Sequence, residues 1–257
     1  MTEAAHIIYE PNRSLQARIA RRVTPFRAQK SLPIKLDRPV VSFTFDDCPR
    51  SALKHGVPAL DAQGWRSSFY LCCGLFGQTN HFGLHMDTDD AKAVAANGHE
   101  VGNHSWHHYD ASAHSLADFQ ADILMNEEGF ANIGLPQSQT FAYPYGETYP
   151  ALKSWMGTQF KGARGILPVT HNTQSDLNQI GSYPLFSGAA YERLLNQLGQ
   201  LEKHPGWLTI FTHDISDTPT PWGCTPQNFL SVVEKVKQIG ALVLPLAEAI
   251  DYLEARL

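Results

Sequence analysis

The chain has 257 residues, enough to bury the core of one large domain, and its 43% hydrophobic and 18% charged residues are typical of a globular protein. A formal net charge of -5 argues against a general affinity for nucleic acid or anionic membrane. No apolar run approaches the roughly 20 residues that a membrane span needs.

The first residues and the cysteines indicate the cellular compartment of the protein and the redox state of its thiols. The first residues, 1–6, carry an acid and lack an apolar core, so they do not resemble a secretory signal. This predicts a cytoplasmic protein, with export left open. The cysteines include an adjacent pair and no CxxC spacing, which predicts buried thiols rather than a disulfide framework or a cysteine zinc site: Cys48, Cys72, Cys73 and Cys224.

The N-terminal segment is strongly basic. Residues 13–38 hold six Arg and two Lys against a single acid, Asp37. We expect residues 1–38 to form an N-terminal extension packed on a domain of residues 39–257. A targeting or lipid-facing segment is the alternative.

Beyond Pro39, short apolar runs alternate with longer helical patterns, which predicts β/α units around a largely parallel sheet. Strands are predicted at 40–45, 68–72, 99–103, 140–143, 162–167, 208–212 and 241–244. Helices are predicted at 49–64, 87–97, 115–130, 151–160, 189–202, 226–240 and 246–255.

Several of the predicted strands end in polar, reactive residues. Asp46 and Asp47 follow the first strand, His104 follows the third, and His213 follows the strand at 208–212. The carboxyl ends of parallel strands in an α/β barrel meet on one face, where active sites assemble. The sequence therefore predicts one shared pocket for these side chains.

Two of these side chains, Asp47 and His104, can form a metal-ligand set together with His108. If residues 104–108 make one helical turn, His104 and His108 project from the same face and can share a cation with Asp47. Such a set leaves positions open for water, whose pKa a divalent ion lowers from about 16 to about 7. An unligated Asp46 can then accept the water's proton. Asp47 as a helix N-cap is the simpler alternative, but it accounts for only one of the two acids.

His213 is the candidate for the general acid. A histidine at this strand end can protonate a departing amine, which is otherwise too poor a leaving group. The alternative is a core histidine held by hydrogen bonds. We expect His99 and His114 to be structural or solvated.

Together these residues resemble the polysaccharide deacetylases with a NodB-type domain, carbohydrate esterase family four. The resemblance rests on four segments in family order, over about residues 39–250: Thr44-Phe-Asp46-Asp47, His104-Ser-x-x-His108, Phe141-Ala-Tyr-Pro-Tyr145-Gly and Leu208-Thr-Ile-Phe-Thr-His213. In the family, the first carries a base Asp and a metal Asp, the second two metal His, and the last the acid His.

The resemblance implies a distorted (β/α) barrel with seven or so parallel strands. It implies Zn²⁺, or another divalent first-row ion such as Co²⁺ or Ni²⁺, at Asp47, His104 and His108. It also implies that the backbone N–H of Tyr145 faces the oxyanion, a fixed donor to charge that develops during reaction. The substrate would be an N-acetylated sugar or polysaccharide, with no nucleic-acid partner; the oligomeric state stays open.

Three positions depart from the family pattern. Cys48 stands where the family usually has Gly. Ala142 stands where many members have an Arg that pairs with the base Asp. Arg164 is the candidate to replace it, grouped with the residues that bind the oxyanion and substrate, and a surface or loop-pinning Arg is the alternative. The family's Asp that supports the acid His is not evident, and Asp176 is the nearest candidate.

Aromatic residues near the motifs are candidates for stacking on sugar rings, with Trp222 the first choice because it lies in a Pro-rich loop after His213. The others are Trp106, Tyr143, Tyr145 and Tyr149.

Two further functions are kept open. One is an amidohydrolase of a small amide or cyclic imide, and the other is a carbohydrate-binding module without catalysis.

Overall fold

A computed structural model describes residues 11–257 of the chain, so the segment behind the signal-peptide prediction lies outside the described residues. Within the described range, no helix is both long enough and apolar enough to cross a bilayer. None of the four cysteines, all of which are described, forms a disulfide, and all but the half-buried Cys73 are buried.

The secondary structure alternates strands and helices along most of the described chain. The helices are α1 Leu15–Val23, α2 Arg50–Asp61, α3 Thr88–Ala96, α4 Leu116–Asn132, α5 Pro150–Gln159, α6 Ala189–Lys203, α7 Pro226–Gln238 and α8 Leu246–Glu254. The strands are β1 Ser31–Pro33, β2 Val40–Asp46, β3 Ser68–Leu71, β4 Thr79–Asn80, β5 Gly83–Leu84, β6 Glu100–Asn103, β7 Thr140–Ala142, β8 Gly162–Arg164, β9 Gln174–Asp176, β10 Tyr183–Pro184, β11 Trp207–Thr212 and β12 Leu242–Val243.

The main sheet is parallel throughout and curls into an incomplete barrel. Its strand order is β10-β11-β2-β3-β6-β7-β8, and β12 also pairs with β2. The segment after β9 lies beside β8 on the far edge, where Ala163 N donates to Leu177 O and Gly165 N to Ile180 O. The predicted distorted barrel of about seven parallel strands is confirmed.

Strand β2 lies at the centre of the sheet and is buried along its whole length. Its alternate residues Val41, Phe43 and Phe45 belong to the core beneath the helices, while Val40 belongs to a second core cluster. This period of two is expected for a strand with both faces covered. Asp46 and Asp47 are thereby placed at the carboxyl edge of a central strand that is buried along its whole length.

The predicted strands and helices beyond Pro39 are all present, with ends shifted by a few residues. Helix α3 begins after Asp87, which forms a capping box with Asp90, and α4 begins after Ser115, whose hydroxyl accepts from Asp118 N. The missed strands are short: the β4–β5 hairpin, the β1–β9 pair and β10. The nine-residue helix α1 in the N-terminal extension was also not predicted. Two- and three-residue strands carry too little alternation to be recognised.

The described part of the N-terminal extension packs on the barrel. Leu32 and Ile34 are buried in the second core cluster, and β1 pairs antiparallel with β9. Thr24 is buried, and its carbonyl accepts from the fully buried Lys153 Nζ at 3.1 Å. Helix α1 is thus anchored next to the strand ends.

Candidate metal and active site

The candidate site lies at the carboxyl edge of the sheet. Asp46 is the last residue of β2, His104 directly follows β6, and His213 directly follows β11. These strands lie side by side with β3 in the order β11-β2-β3-β6. Tyr145 lies in a turn just after β7, and Arg164 ends β8. The topology therefore brings together residues that are up to 167 positions apart in the sequence.

Three side chains are arranged as ligands of one cation. Asp47 Oδ1 lies 3.4 Å from His104 Nε2 and 3.2 Å from His108 Nε2, and the three ligand atoms lie within 4.8 Å of one another. Asp47 Oδ1 is buried and accepts no hydrogen bond. A buried carboxylate oxygen without a donor is costly unless a cation occupies the space between the three groups. The donor set of two imidazoles and one carboxylate therefore fits Zn²⁺ or a similar first-row ion.

The backbone around these ligands is held in an unusual conformation. Six non-glycine residues in the described range have positive φ, and five belong to this site: Asp47, Cys48, Ser105, His108 and Tyr145, with φ between 53° and 62°. Such conformations cost of order 1 kcal/mol or more each and persist where the surroundings enforce them. The expected helical turn at residues 104–108 is wrong, since both Ser105 and His108 are left-handed and no helix forms there. The two imidazoles meet through an irregular loop instead.

Hydrogen bonds behind the ligands fix their orientation. His104 Nδ1 donates to Ala142 O at 2.7 Å, which leaves Nε2 as the acceptor facing Asp47. His85 Nδ1 donates to Asp47 O at 2.8 Å. Partners of this kind set the tautomer and aim of metal ligands. The sequence gives no signal for the role of His85, because it is an isolated histidine outside any motif.

The loop that presents His108 is pinned by a buried carboxylate. Asp122, on α4, accepts from the backbone N–H groups of Trp106 at 3.0 Å and His107 at 3.1 Å. It also pairs with the His107 ring. Asp122 was not predicted, because in the sequence it is only one polar residue on an amphipathic helix.

The ionisation states suit metal binding. Burial raises the pKa of Asp47, but the nearby His108 and His104 imidazoles outweigh it and hold this pKa well below the ordinary value. Burial lowers the pKa of His108 to about 4, so its imidazole is neutral at neutral pH. Burial also raises the pKa of the Cys48 thiol well above its ordinary range. Cys48 therefore stays protonated and does not compete for the ion.

Arg164 lies directly behind Asp46. Its Nη2 atom contacts both carboxylate oxygens of Asp46, and its guanidinium packs over the rings of Phe211 and Tyr70, with 4.9 and 5.4 Å to the centroids. Ala142 and Arg164 are register partners on the adjacent strands β7 and β8. The guanidinium expected at position 142 is thus supplied from the neighbouring position across the ladder. Arg164 is fully buried and does not line the cavity, so its grouping with substrate-contacting residues is wrong.

His213 is oriented by a backbone carbonyl rather than by a carboxylate. Its Nδ1 donates to Trp222 O at 3.0 Å, which leaves Nε2 toward the cavity. The Phe82 ring, from the β4–β5 hairpin, stacks on the imidazole with 4.9 Å between centroids and 5° between planes. The expected support from Asp176 is wrong, because that carboxylate pairs with Lys153 Nζ at 2.6 Å.

One cavity of about 650 Å³ joins these groups. Asp46, Asp47, His104, His108 and His213 all line it. Of the predicted aromatic residues, Tyr143, Tyr145 and Trp222 also line the cavity, whereas Trp106 and Tyr149 do not. Trp106 packs instead against the backbones of Gly74 and Gly129.

Comparison with known proteins yields a family match and several structural matches. The model of the polysaccharide deacetylase family matches residues 34–157, just under half of the chain, which includes the first three motif segments. No curated protein matches the chain. The predicted resemblance to the polysaccharide deacetylases is confirmed over this range.

Similar solved structures share the fold at low sequence identity. The chitin deacetylase of the fungal pathogen Colletotrichum lindemuthianum has a TM-score of 0.59 at 18% identity, over 84% of this chain and 89% of that one. Peptidoglycan deacetylase PdaC of Bacillus subtilis has a TM-score of 0.56 at 16% identity, over 86% and 93%. A mutant of a pseudoenzyme of carbohydrate esterase family four has a TM-score of 0.59 at 17% identity, over 83% and 68%.

The replacement of an Arg at position 142 by Arg164 can be tested by moving the guanidinium back to position 142. Arg164→Ala should destabilise the protein by about 3–5 kcal/mol, because it leaves the buried Asp46 carboxylate unpaired. The double variant Ala142→Arg/Arg164→Ala should recover part of this loss, since it restores a guanidinium at the paired position. Urea unfolding of both variants measures the difference. A double variant no more stable than Arg164→Ala would contradict the replacement.

Proposed function

We propose that the protein is a divalent-metal-dependent hydrolase that removes N-acetyl groups from a sugar or polysaccharide. The observation that carries this proposal is the convergence of Asp47, His104 and His108 on one point, in a cavity that Asp46 and His213 also line. One of the structural matches is a pseudoenzyme, so a similar fold is not sufficient evidence of activity, and the proposal has to rest on the site residues. Here all five residues proposed as ligands and proton carriers line one cavity.

Asp47, His104 and His108 would hold the ion. When bound, a divalent ion of this kind polarises a carbonyl oxygen and makes water acidic enough to give a nucleophile near neutral pH. Zinc is the default for two imidazoles and a carboxylate, although such sites accept several first-row ions.

Two side chains of the cavity would move protons. The Asp46 carboxylate, held in position by Arg164, would accept the proton of the attacking water. His213, in its protonated form, would donate from Nε2 to the amide nitrogen as the C–N bond breaks. The backbone N–H of Tyr145 would stabilise the negative charge that develops on the carbonyl oxygen. Acetate and a free amine are the products.

The choice of an acetylated sugar is supported by the cavity and by the matches. Tyr143, Tyr145 and Trp222 offer aromatic surface beside the proposed ligands, as a sugar ring requires. The titles of the matched structures name chitin and peptidoglycan deacetylases. Both of these polymers contain N-acetylated sugars.

Hydrolysis of a small amide is a second candidate, favoured by the walls of the cavity. Pro11 and Arg21 of the N-terminal extension line it, as do Asn80, His81 and Phe82 around the β4–β5 hairpin. These elements reduce the room for a long polymer beside the strand ends. Rates on N-acetylglucosamine, its oligomers and the polymer separate the candidates, and a preference for the monomer favours the small substrate.

The role of Asp46 is tested by Asp46→Asn, which keeps the shape of the side chain. Acetate release from N-acetylglucosamine oligomers by zinc-loaded protein should fall by about 10²–10⁴-fold, because the proton acceptor is lost. The zinc content should stay at that of the unchanged protein. Asp47→Asn is the matched control, since it should lose both zinc and activity. Undiminished turnover in Asp46→Asn would refute the assignment of the base.

The role of His213 is tested by changing the leaving group. His213→Gln should lower acetate release from an N-acetylated sugar by about 10²–10⁴-fold, because an amine must be protonated as it departs. Hydrolysis of p-nitrophenyl acetate, whose leaving group needs no proton, should fall less than about tenfold. The control His81→Gln, beside the same Trp222, should change both rates by one factor. Equal losses on both substrates in His213→Gln would rule out the acid role.

A further inference from the structure

Helix α1 presents its apolar residues to solvent rather than to the barrel. Leu15, Ile19 and Val23 follow one another at intervals of four along the helix, and Phe26 continues the stripe in the next turn. Their side chains are 71%, 52%, 41% and 78% exposed, respectively. A globular helix normally buries such a stripe. We call these four residues the outer face of α1.

The opposite side of α1 already has its partners in the barrel. Arg21 pairs with Glu147 at 2.6 Å, Thr24 is buried, and the carbonyl of Ala28 just beyond accepts from Asn178 at 2.8 Å. The helix is therefore fixed with its outer face turned away, and a rotation that buried the face would break these contacts.

Arginines surround the outer face. Arg13, Arg18, Arg22 and Arg27 are all exposed, and none of them forms a salt bridge with another described residue. The positive charge is local, since the whole chain has a net charge of -5. A second copy of the chain is a poor partner for this face, because the two sets of guanidinium groups would repel.

We propose that the outer face of α1 binds the surface of an anionic membrane. A lipid interface offers two layers of partners parallel to its surface. The apolar boundary accepts the side chains of the outer face, and the phosphate groups pair with the arginines. The chain as a whole is acidic, so the attraction comes from this segment alone and falls with salt. The proposal is independent of the hydrolytic function.

Docking in this way would also place the cavity near the membrane. Arg21 lies on the inner side of the same helix and lines the cavity, as does its partner Glu147. The helix is thus shared between the outer face and the cavity wall.

Sedimentation with vesicles tests the proposal on the full chain. The protein should bind vesicles of phosphatidylcholine with phosphatidylserine and not vesicles of phosphatidylcholine alone. Arg18→Gln/Arg22→Gln should weaken binding by about 25-fold, at about fivefold for each charge. Ile19→Ser/Phe26→Ser should weaken it by roughly tenfold or more.

Matched controls lie on other helices. Arg193→Gln on α6 removes an exposed charge, and Leu230→Ser on α7 removes a leucine that is 54% exposed, close to the 52% of Ile19. Both controls should bind as the unchanged protein does. Absence of binding to anionic vesicles, or equal losses in the controls, would overturn the proposal. A dimer in sedimentation equilibrium that Ile19→Ser/Phe26→Ser dissociates would assign the face to self-association instead.

Discussion

The site depends on one constraint: three ligand atoms on two separate loops must lie close enough together to coordinate a single ion. Asp47, His104 and His108 reach this point only because β2 and β6 lie on either side of β3 and end at the same edge. Left-handed residues at both loops turn the side chains inward. The local strain is tolerated because each loop is also tied from behind, the first by His85 and the second by Asp122. Without this meeting point the barrel would lack the ligand set on which the proposed hydrolysis depends.

The pairing of Arg164 with Asp46 supplies the guanidinium that the family resemblance leads us to expect at position 142. Position 142 holds Ala, and the guanidinium comes from the register partner one strand away. The side chain reaches the same carboxylate because neighbouring strands are only about 5 Å apart. A supporting group is also replaced at His213, where the carbonyl of Trp222 accepts from Nδ1 in place of a carboxylate. A neutral carbonyl fixes the ring without adding another carboxylate to a cavity that Asp46, Asp47 and Glu147 already line.

Much of the fold and the ligand set could be predicted from the sequence, because long buried strands and motif residues leave strong local patterns. The seven-strand rhythm and the cluster of Asp47, His104 and His108 are examples. Contacts made by isolated residues could not be predicted in the same way. The sequence suggests Asp176 as the support of His213, but that carboxylate pairs with Lys153. Nothing in the sequence says which loop returns to the strand end. The helical turn at residues 104–108 was wrong because a spacing of four is compatible with an irregular loop as well as with a helix.

The most direct test of the central claim is a zinc-edge anomalous difference map from crystals of the protein grown with zinc. The account predicts one strong peak about 2.0–2.2 Å from a carboxylate oxygen of Asp47 and from Nε2 of both His104 and His108. The same crystals of Asp47→Ala should show no peak there. A zinc ion bound elsewhere, or none at this point in the unchanged protein at saturating zinc, would contradict the account.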